Sequence, residues 1–191
     1  WGEGTDDLPP EAAPRWALPE GPHLALALLT APAGPEVLKA LLKRVQPQVI
    51  YLLPLSPLPE ETPDRFMKKI AGLLQAAWHL HGGLLDIPRM AARIGAREEA
   101  VRIALQGLAA SGRIALWEIE GRWCALAKGD ALPSQALEGA NRIPLPTLEQ
   151  AREALGYLLR ETNAYRRAFT QDPLEVLLRG ADPPSPHHLE E

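Results

Sequence analysis

The stretch Asp86–Ala127, DIPRMAARIGAREEAVRIALQGLAASGRIALWEIEGRWCALA, decides the fold. Asp86 stands where it can cap a short helix that carries Met90, Ala91 and Ile94. Gly95 supplies a tight turn. A second helix is predicted from about Arg97 to Ser111, because Val101, Ala104, Leu105 and Leu108 fall at helical spacing on one face. Ser111-Gly112 reads as its C-cap. Ile114 to Glu120 then reads as a strand, Gly121 as a turn, and Arg122 to Ala127 as the returning strand of a hairpin.

Upstream, Thr62-Pro63-Asp64 offers a cap, a proline at the first helical position and an early acid. Phe66, Ile70, Leu73, Leu74 and Ala77 mark one face of a helix that runs to about His81, and Gly82-Gly83 stops it. Three helices followed by a hairpin is the order of a winged helix, predicted for residues 62–128. Before it, Leu24 to Leu29 is an apolar run bounded by turn signals and fits a buried strand. Pro35 opens a helix with Val37, Leu38, Leu41, Leu42 and Val45 at helical spacing. Val49 to Leu53 reads as a second buried strand. Strand, helix and strand make a βαβ unit with parallel strands over residues 23–58. Its two-stranded sheet is thin, so its faces should be covered by the rest of the chain or by a longer parent. Residues 1–22, rich in proline, glycine and acids, read as a linker or lead-in. There Trp1 and Trp16 lack periodic context and are expected to pack on a neighbouring domain.

Downstream, the chain is rich in proline and glycine from Lys128 to Pro146. Thr147 caps a helix with Leu148, Ala151, Leu155, Leu158 and Leu159 inward, and Tyr165 and Phe169 continue the pattern in a further turn or helix. Asp172-Pro173 opens a last short helix through Leu177-Leu178. Residues 129–180 thus form a C-terminal helical segment, and residues 181–191 a disordered tail. The fold class expected is α+β: a small βαβ unit, a winged helix and a C-terminal helical segment.

Of the 191 residues, 46% are hydrophobic but only 5% aromatic, so the core should be aliphatic and helix-rich. Cys124 is the single cysteine, which excludes an internal disulfide or a thiolate metal cluster and fits a reducing, cytoplasmic setting. No apolar run approaches the roughly 20 residues that cross a bilayer, and no signal peptide is visible. The chain opens Trp1-Gly2-Glu3 without a methionine, which reads as a piece of a longer protein. The formal net charge is −4, yet residues 62–127 carry 9 basic and 6 acidic side chains. That excess is small for a dedicated DNA-binding domain.

No set of residues assembles into an active site. His79 and His81 lie two apart and so face different sides of a helix. His187 and His188 sit in the tail, His23 stands alone, and no carboxylate is at ligand spacing beside any of them. Cys124 in a hairpin strand reads as a small core residue. No Gly-x-Ser-x-Gly elbow is present, and Ala33-Gly34-Pro35 is too short for a phosphate loop and lacks its lysine. The chain is therefore expected to be non-catalytic, with no metal and no cofactor of its own. Arg89, Arg93 and Arg97 recur every four residues, with Arg102 and Arg113 beyond. Three readings are open to that stripe: a solvated face, a dock for an acidic partner segment, or a nucleic-acid contact. Glu98-Glu99 at the start of the second helix, and Glu118 and Glu120 in the hairpin, face phosphates badly, so contact with duplex DNA should be weak. Trp117 and Trp123 flank the hairpin turn as cross-strand core residues or as an exposed anchor. Arg89, Arg93, Arg97, Arg102, Trp117 and Trp123 are the candidate partner-binding residues.

Several segments together resemble the C-terminal region of RecJ, the bacterial exonuclease specific for single strands. They are Val37-Leu38 to Leu42 leading into Pro47-Gln48-Val49-Ile50-Tyr51-Leu52-Leu53, then Pro63-Asp64-Arg65-Phe66 opening a long helix, then Ala104-Leu105 through Gly112-Arg113-Ile114. Tyr165-Arg166-Arg167-Ala168-Phe169 before Pro173-Leu174-Glu175 is similar to the form found in the Deinococcus–Thermus lineage. The likeness runs from about Leu24 to Leu178; many relatives have an acid where this chain has Phe66. The resemblance implies a parent that degrades single-stranded DNA from the 5′ end in repair and recombination, with Mn or Mg held by Asp and His motifs in a separate catalytic core. None of those motifs stands in this chain, so no catalytic residue carries over. It also implies contacts with other repair proteins, single-strand binding protein or a helicase or translocase such as HerA, or with the parent's own catalytic core.

Overall fold

The structure is a computed structural model and describes residues 1–5, 7–53, 58–127, 140–171 and 176. Among these the chain is α+β, with five helices and two small sheets. It divides into two compact units, one of Trp1–Pro59 with Glu161–Glu191, the other of Glu60–Arg160. The expected short helix after Asp172 and the tail lie outside the described residues, Val176 excepted.

In the first unit, β1 (His23–Leu28) pairs in parallel with β2 (Pro47–Leu52), and α1 (Pro35–Val45) connects them. Pro35 opens α1 and Gln46 closes it in the left-handed region at φ 46°. Val37, Leu38, Leu41 and Val45 are buried with Leu26 and Leu28 of β1, as helical spacing predicts. The expectation of two fully buried strands is corrected. Val49 and Tyr51 of β2 are about half exposed and Leu24 of β1 is 76% exposed. A parallel pair needs cover on both faces, and α1 covers one.

Residues 1–22 are not a linker. Trp1 and Leu18 belong to the core of this unit, so Trp1 packs at home rather than on a neighbour, while Trp16 stays exposed. The Trp1 carbonyl accepts from Leu29 N at 2.9 Å, beside β1. Glu3 holds the segment down. Its carboxylate, 1% exposed, accepts from Trp1 Nε1 at 3.2 Å, from Arg15 N at 2.7 Å and from the Arg15 guanidinium, while its own N–H donates to Thr30 Oγ1 at 3.0 Å. A buried carboxylate is tolerated because four donors and a cation replace its water. Composition conceals this, since an acid in a proline-rich stretch looks like linker.

In the second unit, α2 (Pro63–His81), α3 (Ile87–Arg93) and α4 (Glu98–Ala110) lead into the hairpin β3 (Ile114–Ile119) and β4 (Arg122–Ala127). The caps are those the sequence offers. Thr62 Oγ1 accepts from Arg65 N at 3.4 Å, and Asp86 Oδ1 accepts from Arg89 N at 3.1 Å. Gly82 at φ 58° ends α2, and Gly95 at φ 61° turns α3 into α4. Phe66, Ile70 and Leu74 of α2 meet Val101, Ala104 and Leu105 of α4 and Leu116 of β3, all under 3% exposed. Each such valine, leucine, isoleucine or phenylalanine side chain contributes about 1.5–3 kcal/mol by leaving water. Gly107 lets α4 approach its neighbours, since a Cβ there would lie 3.3 Å from both Ala151 Cβ and Met67 Sδ.

Two features depart from the sequence reading. A short strand, β5 (Ala140–Arg142), pairs antiparallel with β3 inside the segment expected to be helical, giving the order β4-β3-β5. In addition, α5 (Leu148–Phe169) is one helix through Tyr165 and Phe169, not a helix and a further turn. Thr147 and Gln150 cap it reciprocally, side chain to backbone in each direction, at 3.1 and 2.9 Å. Leu155, Leu158 and Leu159 join the second unit's core, and Phe169 the first's.

The segment after α2 ties the helices to the hairpin. Ala125 N donates to Gly83 O at 2.9 Å, Leu85 N donates to Trp123 O at 2.8 Å, and Trp78 Nε1 donates to Ala125 O at 2.7 Å. Gly83 has φ 89°, and a Cβ there would stand 2.4 Å from Ala125 O. Gly83→Ala should therefore lower unfolding stability by about 2–3 kcal/mol, whereas Gly82→Ala, at positive φ but in open space, should lower it by about 1 kcal/mol. Urea unfolding followed by tryptophan fluorescence separates the two. By the same measurement Glu3→Ala should cost about 2–3 kcal/mol, because it removes the buried carboxylate that accepts from Arg15 and from the Trp1 indole N–H. A change below about 0.5 kcal/mol, the size of an ordinary surface substitution, would show that the network does not hold the segment.

Candidate functional site

Five of the six candidates lie on helices or strands of the second unit, and Arg97 lies between α3 and α4. Arg89 and Arg93 lie one turn apart on exposed positions of α3, and Arg97 stands just before the first residue of α4, beyond the Gly95 turn, with no side-chain cap hydrogen bond. The stripe therefore breaks at that turn rather than running along one helix. Arg89 pairs with Asp86 at 3.2 Å, and Arg93 and Arg97 also have interactions within the protein. Glu98 and Glu99 occupy the first turn of α4, where carboxylates suit the helix dipole. Arg102 reaches back one turn to Glu98 at 3.1 Å.

The two hairpin tryptophans face opposite ways. Trp117 stands opposite Cys124, and Trp123 opposite Glu118, so the alternation of the ladder puts them on different faces of the sheet. Trp123 packs against the helical core. Trp117 belongs to a small cluster on the other face with Cys124, Leu126, Leu84, Ile119 and Ala140, and Arg142 sits over its ring at 5.9 Å. One surface cannot use both rings.

A cleft of about 320 Å³ does bring two candidates together. Arg102 of α4 and Trp123 of β4 line it, with Leu85 to Pro88 at the start of α3 and Gly121 and Arg122 at the hairpin tip. Arg89, Arg93, Arg97 and Trp117 do not line it. The tip is a two-residue turn, with Glu120 at φ 51° and Gly121 at φ 76°, which matches the twist of a hairpin. Sequence reasoning did not single out Leu85, Ile87 or Arg122. The signal was the pairing of the Gly83–Leu85 segment with β4, and a three-residue segment is too short for period or propensity to register.

Among the described residues no three His, Cys, Asp or Glu side chains gather in a way that could hold a metal ion. Among the described residues no helix is long and apolar enough to cross a membrane. Cys124 is buried, and burial pushes its thiol above the ordinary cysteine range, which keeps it protonated at neutral pH. Comparisons with protein-family models, with curated proteins and with solved structures find no match.

The thiol makes a prediction. Cys124 in the native chain should react with Ellman's reagent at pH 7.5 only as fast as the hairpin opens, and at the rate of a free thiol in 6 M guanidinium chloride. Rapid labelling of the native chain would place the thiol at the surface.

Proposed function

We propose that this chain is a non-catalytic protein-interaction module, related to the C-terminal region of RecJ-type exonucleases, that holds the nuclease to a partner in DNA repair and recombination. In this reading α2, α3, α4 and the hairpin form a winged helix turned to docking rather than to reading DNA. The observation that carries it is the cleft at the hairpin tip, whose lining includes Arg102 and Trp123. A ring and guanidinium groups on packed elements are the usual anchors of a protein interface. The natural partners are single-strand binding protein and a repair helicase or translocase such as HerA. In a protein of this type, Mn or Mg would belong to the separate catalytic core.

Nucleic-acid reading is the weaker alternative. Glu98 and Glu99 open α4, the helix a winged helix would lay in the major groove, and Glu118 and Glu120 are exposed on the hairpin. Those charges oppose phosphate contacts, which supply most non-specific affinity. A second docking partner is favoured by a separate observation. The half-exposed Val49 and Tyr51, which share one face of β2, suit packing against the parent's own catalytic core.

A titration of the chain tests the proposal. Labelled single-stranded DNA, duplex DNA, the acidic C-terminal peptide of single-strand binding protein and a HerA-type translocase are each added at 50 and 200 mM salt. Saturable binding to the peptide or the translocase is expected, with DNA binding at least tenfold weaker. Tight DNA binding that falls steeply with salt would overturn the docking reading in favour of a DNA reader.

A further inference from the structure

The first unit leaves one strand edge open. Its sheet is closed on the β1 side by the chain itself, where the Trp1 amine donates to Ala27 O at 2.7 Å and Leu29 N donates to Trp1 O at 2.9 Å. On the other side, no strand pairs with the outer edge of β2 among the described residues. Leu53 N donates to Leu28 O at 2.9 Å, so the backbone groups of Leu53 turn towards β1. Successive residues of a strand send their N–H and C=O to opposite sides. Those of Val49 and Tyr51 therefore also turn to β1, and those of Gln48, Ile50 and Leu52 turn to the open edge. Edge strands are ordinarily guarded by charges, by an internal proline or by a bulge. Gln48 to Leu53, QVIYLL, has no charge and no proline, and the register of β2 against β1 is constant. Leu26 packs with α1 and stands opposite Ile50, so Val49 and Tyr51, about half exposed, lie on the face away from the helix.

We infer that the open edge of β2 pairs with β2 of a second copy of this chain, antiparallel and two-fold symmetric about Ile50. Ile50 is the middle of the three residues whose backbone groups face the edge, so this register engages all three. Gln48, Ile50 and Leu52 face Leu52, Ile50 and Gln48 of the copy, and each facing pair exchanges both of its backbone hydrogen bonds. Val49 then stands opposite Tyr51 of the copy, and Tyr51 opposite its Val49, as aromatic to β-branched cross-strand pairs. The residues favour a copy over a charged partner segment, which would find no counter-charge on β2. Across the axis no like charges meet, and one set of donors and acceptors satisfies its own repeat, as an isologous contact requires. A lone strand pair is a small interface, in the class of weak contacts below about 1,200 Å². The edge lies in the unit that does not hold the cleft, so this inference goes beyond the docking reading and stands apart from it.

The test follows the whole chain by sedimentation velocity from about 10 μM to about 1 mM, the range a weak contact calls for. A monomer–dimer equilibrium is expected within it. Amide hydrogen exchange is read at both ends of the range. At the high end it should slow about threefold or more at Ile50 and Leu52, whose N–H groups enter the pairing. At Leu53, whose N–H is already bonded to Leu28 O, it should not change. Two double variants then check the register. Val49→Lys with Tyr51→Lys sets like charges opposite each other and should weaken the dimer about tenfold or more. Val49→Lys with Tyr51→Glu sets opposite charges across the axis and should return it to within about threefold of the unaltered chain. Both positions are half exposed, and circular dichroism checks that the variants stay folded; the exchange readout needs no variant. Monomeric behaviour over the whole range would overturn the inference and hand the edge to a strand of a different chain. Exchange at Ile50 and Leu52 that ignores concentration, or a double-lysine variant that dimerises as well as the unaltered chain, would overturn it too.

Discussion

The second unit depends on one close approach. Gly83 lies against the Ala125 carbonyl, nearer than any side chain would permit, and the hydrogen bonds on either side follow from that contact. Through them the chain leaving α2 becomes a short extra rung on β4, with Leu84 bridged to Cys124. Trp78 then reaches from α2 to the same carbonyl. A two-stranded hairpin alone is marginal in water, and this rung fixes it to the helices. It also puts Leu85 beside Trp123, which creates the cleft. Fold and candidate site thus share a single cause.

Much of this was legible in the sequence, and the reasons are local. Thr62, Asp86 and Thr147 announce helix starts because their side chains bond backbone groups a few residues ahead. Gly82, Gly95 and Gly121 sit where positive φ is needed. Helical spacing gave the inner faces of α1, α2 and α4, and hairpin alternation placed β3 and β4. What stayed hidden is set by distant partners. Ala140 to Arg142 becomes a strand because β3 offers it an edge, not because its own residues favour one. Trp1 and Glu3 are buried because Ala27 to Thr30 and Arg15 come to meet them. The site was half legible. Arg102 and Trp123 were found by residue type, while Arg122 needed the register of the hairpin against α3.

The charge pattern separates docking from DNA reading better than net charge does. Residues 62–127 lean basic, yet most of their arginines are spent within the fold. Arg89 and Arg102 each answer a nearby acid on the same helix or its cap. Carboxylates stand at the head of α4 and along the hairpin, the two places a DNA-reading winged helix would present to phosphates.

The length of α5 bears on how the chain unfolds. At 22 residues the helix is about 33 Å long, and its two ends serve different hydrophobic cores. Because starting a helix is costly and extending one is cheap, whichever core forms first hands the other a template that is already wound. Loss of either core takes away the packing that holds one end of that template, so the end frays back towards the other. Heat or denaturant should then find in this chain a pair of linked transitions rather than two independent melts, with the middle of α5 among the last amides to exchange.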